Sequence, residues 1–228
     1  MKSIILNIET STEVCSVCLS SQKLILSERS VHETYSHSSI ISGLIKELLK
    51  ESHSKVTDLD AIAVSKGPGS YTGLRVGASL AKGICYAINR PLIEINTLQA
   101  IAFSAYQQLK TDGLYIPMID ARRNEVYLSI YNNNIEVTGP TALILNKEYF
   151  EKLKKENLPI IIMGNGADKA WKMLHDEIEL IHYPAKCNAA MLAPLAFEAI
   201  QKNDFTDIAQ FSPFYLKPPN ITYAKNKI

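Results

Sequence analysis

The stretch Ser65-Lys66-Gly67-Pro68-Gly69-Ser70-Tyr71-Thr72-Gly73-Leu74-Arg75-Val76-Gly77 governs how the rest of the chain reads. The apolar run Ala61-Ile62-Ala63-Val64 before it has the length of a buried strand and ends at Ser65. Gly67-Pro68-Gly69 then imposes a sharp loop, because proline fixes one φ and glycine accepts turn geometries closed to other residues. Ser70 is a good N-cap, and the spacing predicts a helix over Tyr71–Ile88. Along it Gly73, Gly77, Ala81 and Cys85 recur at four-residue intervals, forming one stripe of small side chains. An interior helical glycine costs about 1 kcal/mol relative to alanine, so close approach of another backbone must compensate. The stripe reads as a contact surface for another helix. A crossing inside the same molecule is the alternative.

Two nucleotide motifs fail on this loop. A phosphate-binding loop needs Gly-x-x-x-x-Gly-Lys-Ser/Thr, and no lysine follows Thr72. Gly67-Pro68-Gly69 also lacks the third glycine of the dinucleotide fingerprint.

Outward from the loop, the first half reads as strands over 3–8, 14–20 and 23–30, a helix from Ser38-Ser39, the central strand and helix, a strand over 92–95 and a helix over 97–109. The second half repeats the plan. Strands over 115–119, 125–131 and 135–138 precede a helix near 147–155, a strand over 159–163, a helix from Asp168, a strand near Ile178 and a helix from Ala189. Glu9 aligns with Asp120, each ending a first strand just before a polar turn. A βββαβα unit used twice implies two lobes, 1–109 and 110–228, joined through the polar 110–113 and facing each other across a central cleft. That is the α/β architecture of actin, hexokinase and Hsp70, the ASKHA fold. In it the two hairpins straddle nucleotide phosphates, so Glu9, Ser11 and Asp120 are candidate nucleotide and metal contacts. Gly164-Asn165-Gly166 stands where an adenosine would be cradled. A strand-end acid bonding its own turn and a plain glycine turn are the alternatives.

Composition narrows the class. The chain has 228 residues, 46% of them hydrophobic, and a net charge of +1, which supports a sizeable core and gives no strong basic field for nucleic acid. The apolar Ile4-Ile5-Leu6 is too short for a signal peptide or a membrane span, so a cytoplasmic protein is expected. Cys15 and Cys18 fall on a strand, where residues three apart diverge, and all four cysteines read as buried thiols. His32 and His37 lack a third ligand; His37 reads as a polar residue near a helix start.

Four segments together resemble the TsaB (YeaZ) family: Ile8-Glu9-Thr10-Ser11-Thr12, residues 67–77, Ile119-Asp120-Ala121-Arg122 and Pro213-Phe214-Tyr215-Leu216-Lys217. Glu9 stands where that family usually has Asp, and Lys217 where it has Arg. The resemblance implies a part in making threonylcarbamoyladenosine beside the anticodon of ANN-decoding tRNAs. It implies a noncatalytic subunit that binds TsaD as a heterodimer, is joined by the ATPase TsaE and meets tRNA only through the complex. ATP and metal are then expected on TsaD and no cofactor bound tightly here. TsaD continues from a segment like 91–96 into a His-x-x-x-His pair, and the matching positions here are Thr97 and Ile101.

The same resemblance implies that two helices dock on their counterparts in TsaD, or on a second copy when TsaD is absent. The expected interface comprises Ser70, Gly73, Leu74, Gly77, Leu80, Ala81 and Ile84 with Ile41, Leu44, Ile45 and Leu48. Two other functions compete: an independent ATP-dependent transferase of the same fold, and a metalloprotease, which the lack of a His-x-x-x-His or His-Glu-x-x-His pattern disfavours. The polar, basic tail 218–228 reads as extended or disordered.

Overall fold

Alternation along the first strand sorts the molecule into layers. In β1 (Ile4–Glu9), Leu6 and Ile8 point to one core and Ile5 to another. β4 (Ala61–Gly67) repeats this with Ile62 and Val64 on one face and Ala61 and Ala63 on the other. Both faces are covered, as the near-continuous apolar runs demand. The computed structural model describes residues 3–22, 24–32, 37–185 and 187–218. The tail 219–228 lies outside the described residues.

β2 (Val14–Ser21) and β3 (Leu24–His32) pair antiparallel beside β1, while β4 and β5 (Leu92–Asn96) run parallel on its other side. α1 (His37–Glu51) and α2 (Tyr71–Ile88) cover the outer face of this sheet, with Ile41, Leu44, Ile45, Leu48, Ala78 and Ala81 in its core. The second sheet repeats the order. β6 (Leu114–Asp120), β7 (Glu125–Asn132), β8 (Ile135–Ile144), β9 (Ile160–Met163) and β10 (Ile181–Tyr183) form it in the sequence β10-β9-β6-β7-β8, against β3-β2-β1-β4-β5 in the first. α4 (Lys147–Leu153) and α5 (Ala167–Leu174) cover its outer face. This is the duplicated actin-like α/β fold expected from the sequence.

Between the sheets lies a third core built by α3 (Thr97–Leu109) and α6 (Ala193–Lys202). α3 packs on β6, and α6 packs on β1 and β5 although it follows the second sheet in the chain. Leu92 pairs with Thr206, and Phe211 sits in the outer core of the first sheet. The segment 189–217 thus returns to the first lobe, so residues 110–228 do not form a self-contained second one.

The small-residue stripe of α2 faces inward. Gly73, Leu74, Gly77, Ala81 and Cys85 are buried. A Cβ on Gly73 would overlap Thr10 O, and one on Gly77 would overlap Thr10 Oγ1. The glycines let α2 press on the β1–β2 turn of its own lobe, which is the intramolecular crossing rather than a docking flank. Gly43 and Gly83 differ, since a Cβ at either would meet nothing within 4 Å. Gly73→Ala should therefore destabilise the protein by more than about 2 kcal/mol through overlap with backbone. Gly83→Ala should stabilise it by up to about 1 kcal/mol through helix propensity. Urea denaturation of the two variants checks both signs.

Candidate functional site

The turn after β1 is where a nucleotide would be gripped in this fold, and here it is covered. Ser70 N donates to Ser11 O at 2.6 Å, and Gly73 N donates to Ser70 Oγ at 3.3 Å, so the N-cap of α2 is seated on the turn. Thr10, Ser11 and Thr12 are all buried. Glu9 is fully buried; its Oε1 accepts from Ser11 N at 2.5 Å and from Ser65 Oγ at 3.0 Å, and its Oε2 has no partner among the described residues. Removal from water pushes its carboxyl up from 4.5 to about 7, against the lowering effect of the Ser11 and Ser65 hydrogen bonds.

The opposite acid is occupied differently. Asp120 Oδ1 accepts from Arg122 N at 2.6 Å and from Lys169 Nζ at 2.7 Å. Lys169 thus supplies the cation that faces Asp120. Gly164 and Gly166, just after β9, are buried against the neighbouring strand β6: a Cβ on Gly164 would overlap Met118 O, and one on Gly166 would lie 2.9 Å from Ile119 C. Their absent side chains make room for β6. Asn165 of this loop ties the lobes together, accepting from Asp120 N at 3.0 Å and donating to Glu13 Oε2 at 2.9 Å. What is left of the cleft is a pocket of about 300 Å³ lined by Thr12, Glu13, His32, Asn165, Asp168 and His182. Each histidine faces a carboxylate, His32 at 3.7 Å from Glu13 and His182 at 3.1 Å from Asp168. Glu9 and Asp120 are thus both engaged within the protein, Glu9 by Ser11 and Ser65 and Asp120 by Arg122 N and Lys169. Among the described residues no three His, Cys, Asp or Glu side chains converge as metal ligands. His37 opens α1 and its Nε2 lies 3.0 Å from Thr12 O, while the four cysteines are free and buried.

The outer side of α1 and α2 is open. A groove of about 600 Å³ runs between them, lined by Ile41, Ser42, Tyr71, Arg75, Ser79 and Leu80, with Ser38, Thr72 and Val76 completing it. Of the interface residues expected from the sequence, only Ser70, Leu80 and Ile84 keep solvent-facing surface. Ile41, Leu44, Ile45 and Leu48 are buried under α1, as Gly73, Leu74, Gly77 and Ala81 are under α2. The exposed ridge is displaced around the helix to Thr72, Arg75, Ser79, Gly83 and Tyr86.

The end of the chain completes this face. Phe214 N donates to Lys66 O at 2.7 Å, and a Cβ on Gly67 would lie 2.5 Å from Phe214 O. Tyr215 then packs on Tyr71 with ring centroids 4.5 Å apart. Arg75 Nε donates to Tyr215 OH at 3.1 Å, and its guanidinium lies 4.2 Å from the Tyr71 ring centre. Periodicity gave no sign of this clamp, because it joins residues 140 positions apart.

Sequence and structure comparisons assign the family. The family model for TsaD, tRNA N6-adenosine threonylcarbamoyltransferase, matches residues 25–223. The tRNA threonylcarbamoyladenosine biosynthesis protein TsaB of Bacillus subtilis is 30% identical over 175 residues, covering 75% of each chain. The chain belongs to the TsaB (YeaZ) family. The Escherichia coli TsaB is 28% identical over 228 residues, covering 97% of each chain. A solved Pseudomonas aeruginosa protein described as similar to peptidase YeaZ shares the fold with a TM-score of 0.77 at 22% identity, over 94% of this chain and 100% of that one. The chain is thus a protein of tRNA threonylcarbamoyladenosine biosynthesis, and no helix among its described residues is long and apolar enough to cross a membrane.

Glu9 makes stability depend on pH in a defined sense. The folded protein holds its proton up to about 7, whereas the unfolded chain releases it near 4.5, so stability falls as pH rises through that window and levels off above it. Glu9→Gln, which mimics the protonated acid, should match wild type near pH 4 and exceed it by up to ~3 kcal/mol at pH 8. Thermal melts of both proteins across that range test the divergence.

Proposed function

We propose that this chain is the noncatalytic partner subunit of the TsaD threonylcarbamoyltransferase, docking through the outer face of α1 and α2. The observation that carries this reading is the open groove between those helices, with Tyr71, Arg75 and Leu80 beside small exposed Ser42, Thr72 and Ser79. Aromatic and arginine anchors set among small side chains suit the approach of another helix pair. Gly43 and Gly83 strengthen the argument: nothing among the described residues requires them, and each weakens its helix.

The chemistry of the cleft supports the noncatalytic part. Thr97 and Ile101 stand at the two positions where the family resemblance puts the TsaD histidines, and both are buried in the central core. Neither residue replaces an imidazole ligand, and Ile101 has no donor atom. With Asp120 held by Lys169 and Glu9 sealed in the lobe, the residues that would position a metal-bound nucleotide are committed elsewhere. ATP, metal and catalysis then reside on TsaD, and TsaE joins the heterodimer to complete the assembly. In the absence of TsaD the same face is available to a second copy of the chain in an isologous pair.

Ser79→Arg places a long charged side chain in the middle of the groove without touching a buried residue. It should abolish co-elution with purified TsaD and tRNA modification in a reconstituted system containing TsaD, TsaE and threonylcarbamoyl-AMP synthase. The variant's melting temperature should stay within about 3 °C of wild type, as expected for an exposed substitution. A variant that still forms the heterodimer, or modification that proceeds without this chain, would overturn the assignment.

A further inference from the structure

The turn between β6 and β7 carries two adjacent arginines in an unusual state. Arg122 has φ 71° and Arg123 φ 49°, both in the left-handed region that bulky residues rarely occupy. Asp120 Oδ1 holds the first through Arg122 N at 2.6 Å, and Glu125 N donates to Arg122 O at 3.2 Å to close the turn. The two carboxylates at the base of the turn are already neutralised, Asp120 by Lys169 and Glu125 by Lys217. Neither Arg122 nor Arg123 has a side-chain ion pair or hydrogen bond among the described residues, and both are exposed. Four cations thus surround two carboxylates at one hairpin, in a chain whose whole net charge is +1.

We infer that Arg122 and Arg123 form a contact for the phosphate backbone of the tRNA substrate, supplied by this subunit and not by its partner. The inference rests on the docking reading above and extends it. Guanidinium groups match phosphate oxygens with paired N–H donors, and an αL–αL turn presents two of them outward from one short hairpin. The position fits as well. The same segment that sets Tyr215 on Tyr71 and Arg75 of the docking face reaches Glu125 two residues later through Lys217. The base of the arginine hairpin is thus tied, through Lys217, to the segment that packs on the docking face. An acidic protein surface is the competing occupant, and the weak overall charge makes the contact a contributor to the assembled complex rather than a separate RNA-binding module.

The test uses the assembled heterodimer with TsaD and a fluorescently labelled, unmodified ANN-decoding tRNA, read by anisotropy over a salt series. The double variant Arg122→Ala/Arg123→Ala should co-elute with TsaD as wild type does and bind tRNA about tenfold more weakly near 0.1 M salt. Its log Kd against log salt slope should be shallower by about 1 to 2, the signature of lost phosphate contacts. Arg122→Lys/Arg123→Lys should recover most of that slope, and Arg90→Ala, an exposed arginine elsewhere, should change neither quantity. Unchanged affinity and slope in an intact variant heterodimer would overturn the inference. So would loss of TsaD binding by the alanine double variant, which would assign the tip to a protein contact. If wild type itself fails to pair with TsaD, the docking reading falls first and this one with it.

Discussion

The structure depends on one backbone contact: the turn after β1 pressed against the first two turns of α2. Ser70 N donates to Ser11 O at 2.6 Å, and only a residue without a side chain fits at Gly73, over Thr10 O. The contact fixes the angle at which α2 lies on the sheet, and so which of its faces meets solvent. It also shields Glu9 and the Thr10–Thr12 turn from water.

Closure on one side accounts for the openness on the other. With the small stripe consumed internally, the outer ridge of α2 is free to combine with α1 and with Tyr215 from the end of the chain. The Arg75 guanidinium sits over Tyr71 and is bonded to Tyr215, so the aromatic end of the groove is held in place before the proposed partner arrives. Interfaces gain most from anchors that lose little freedom on binding. The buried polar turn and the exposed apolar groove are two results of the same packing choice.

Strand and helix order was legible in the sequence because buried strands here are short and nearly all apolar, and α1 and α2 repeat at helical spacing. The duplication followed from the matched ends Glu9 and Asp120. What misled was the glycine stripe, since period alone cannot tell which neighbour a smooth helical face touches. Gly73 and Gly83 look alike in one dimension; one is filled by Thr10 O and the other by nothing. The return of 189–217 to the first sheet was hidden for a related reason. α6 has an apolar face that fits either sheet, and only the path of 189–217 decides that it returns to β1 and β5. Lys169 and Lys217 were invisible as partners of Asp120 and Glu125 because those pairs span 49 and 92 positions.

The shared layer of α3 and α6 has a mechanical meaning. Here Tyr115, Ile119 and Met163 from one sheet and Ile5, Ala63 and Ile95 from the other are buried in a single oily seam, stitched at its rim by Asn165 to Glu13 and Asn188 to Glu28. Bending would tear that seam and wet its side chains. The two sheets therefore share one buried interior and resist being levered apart.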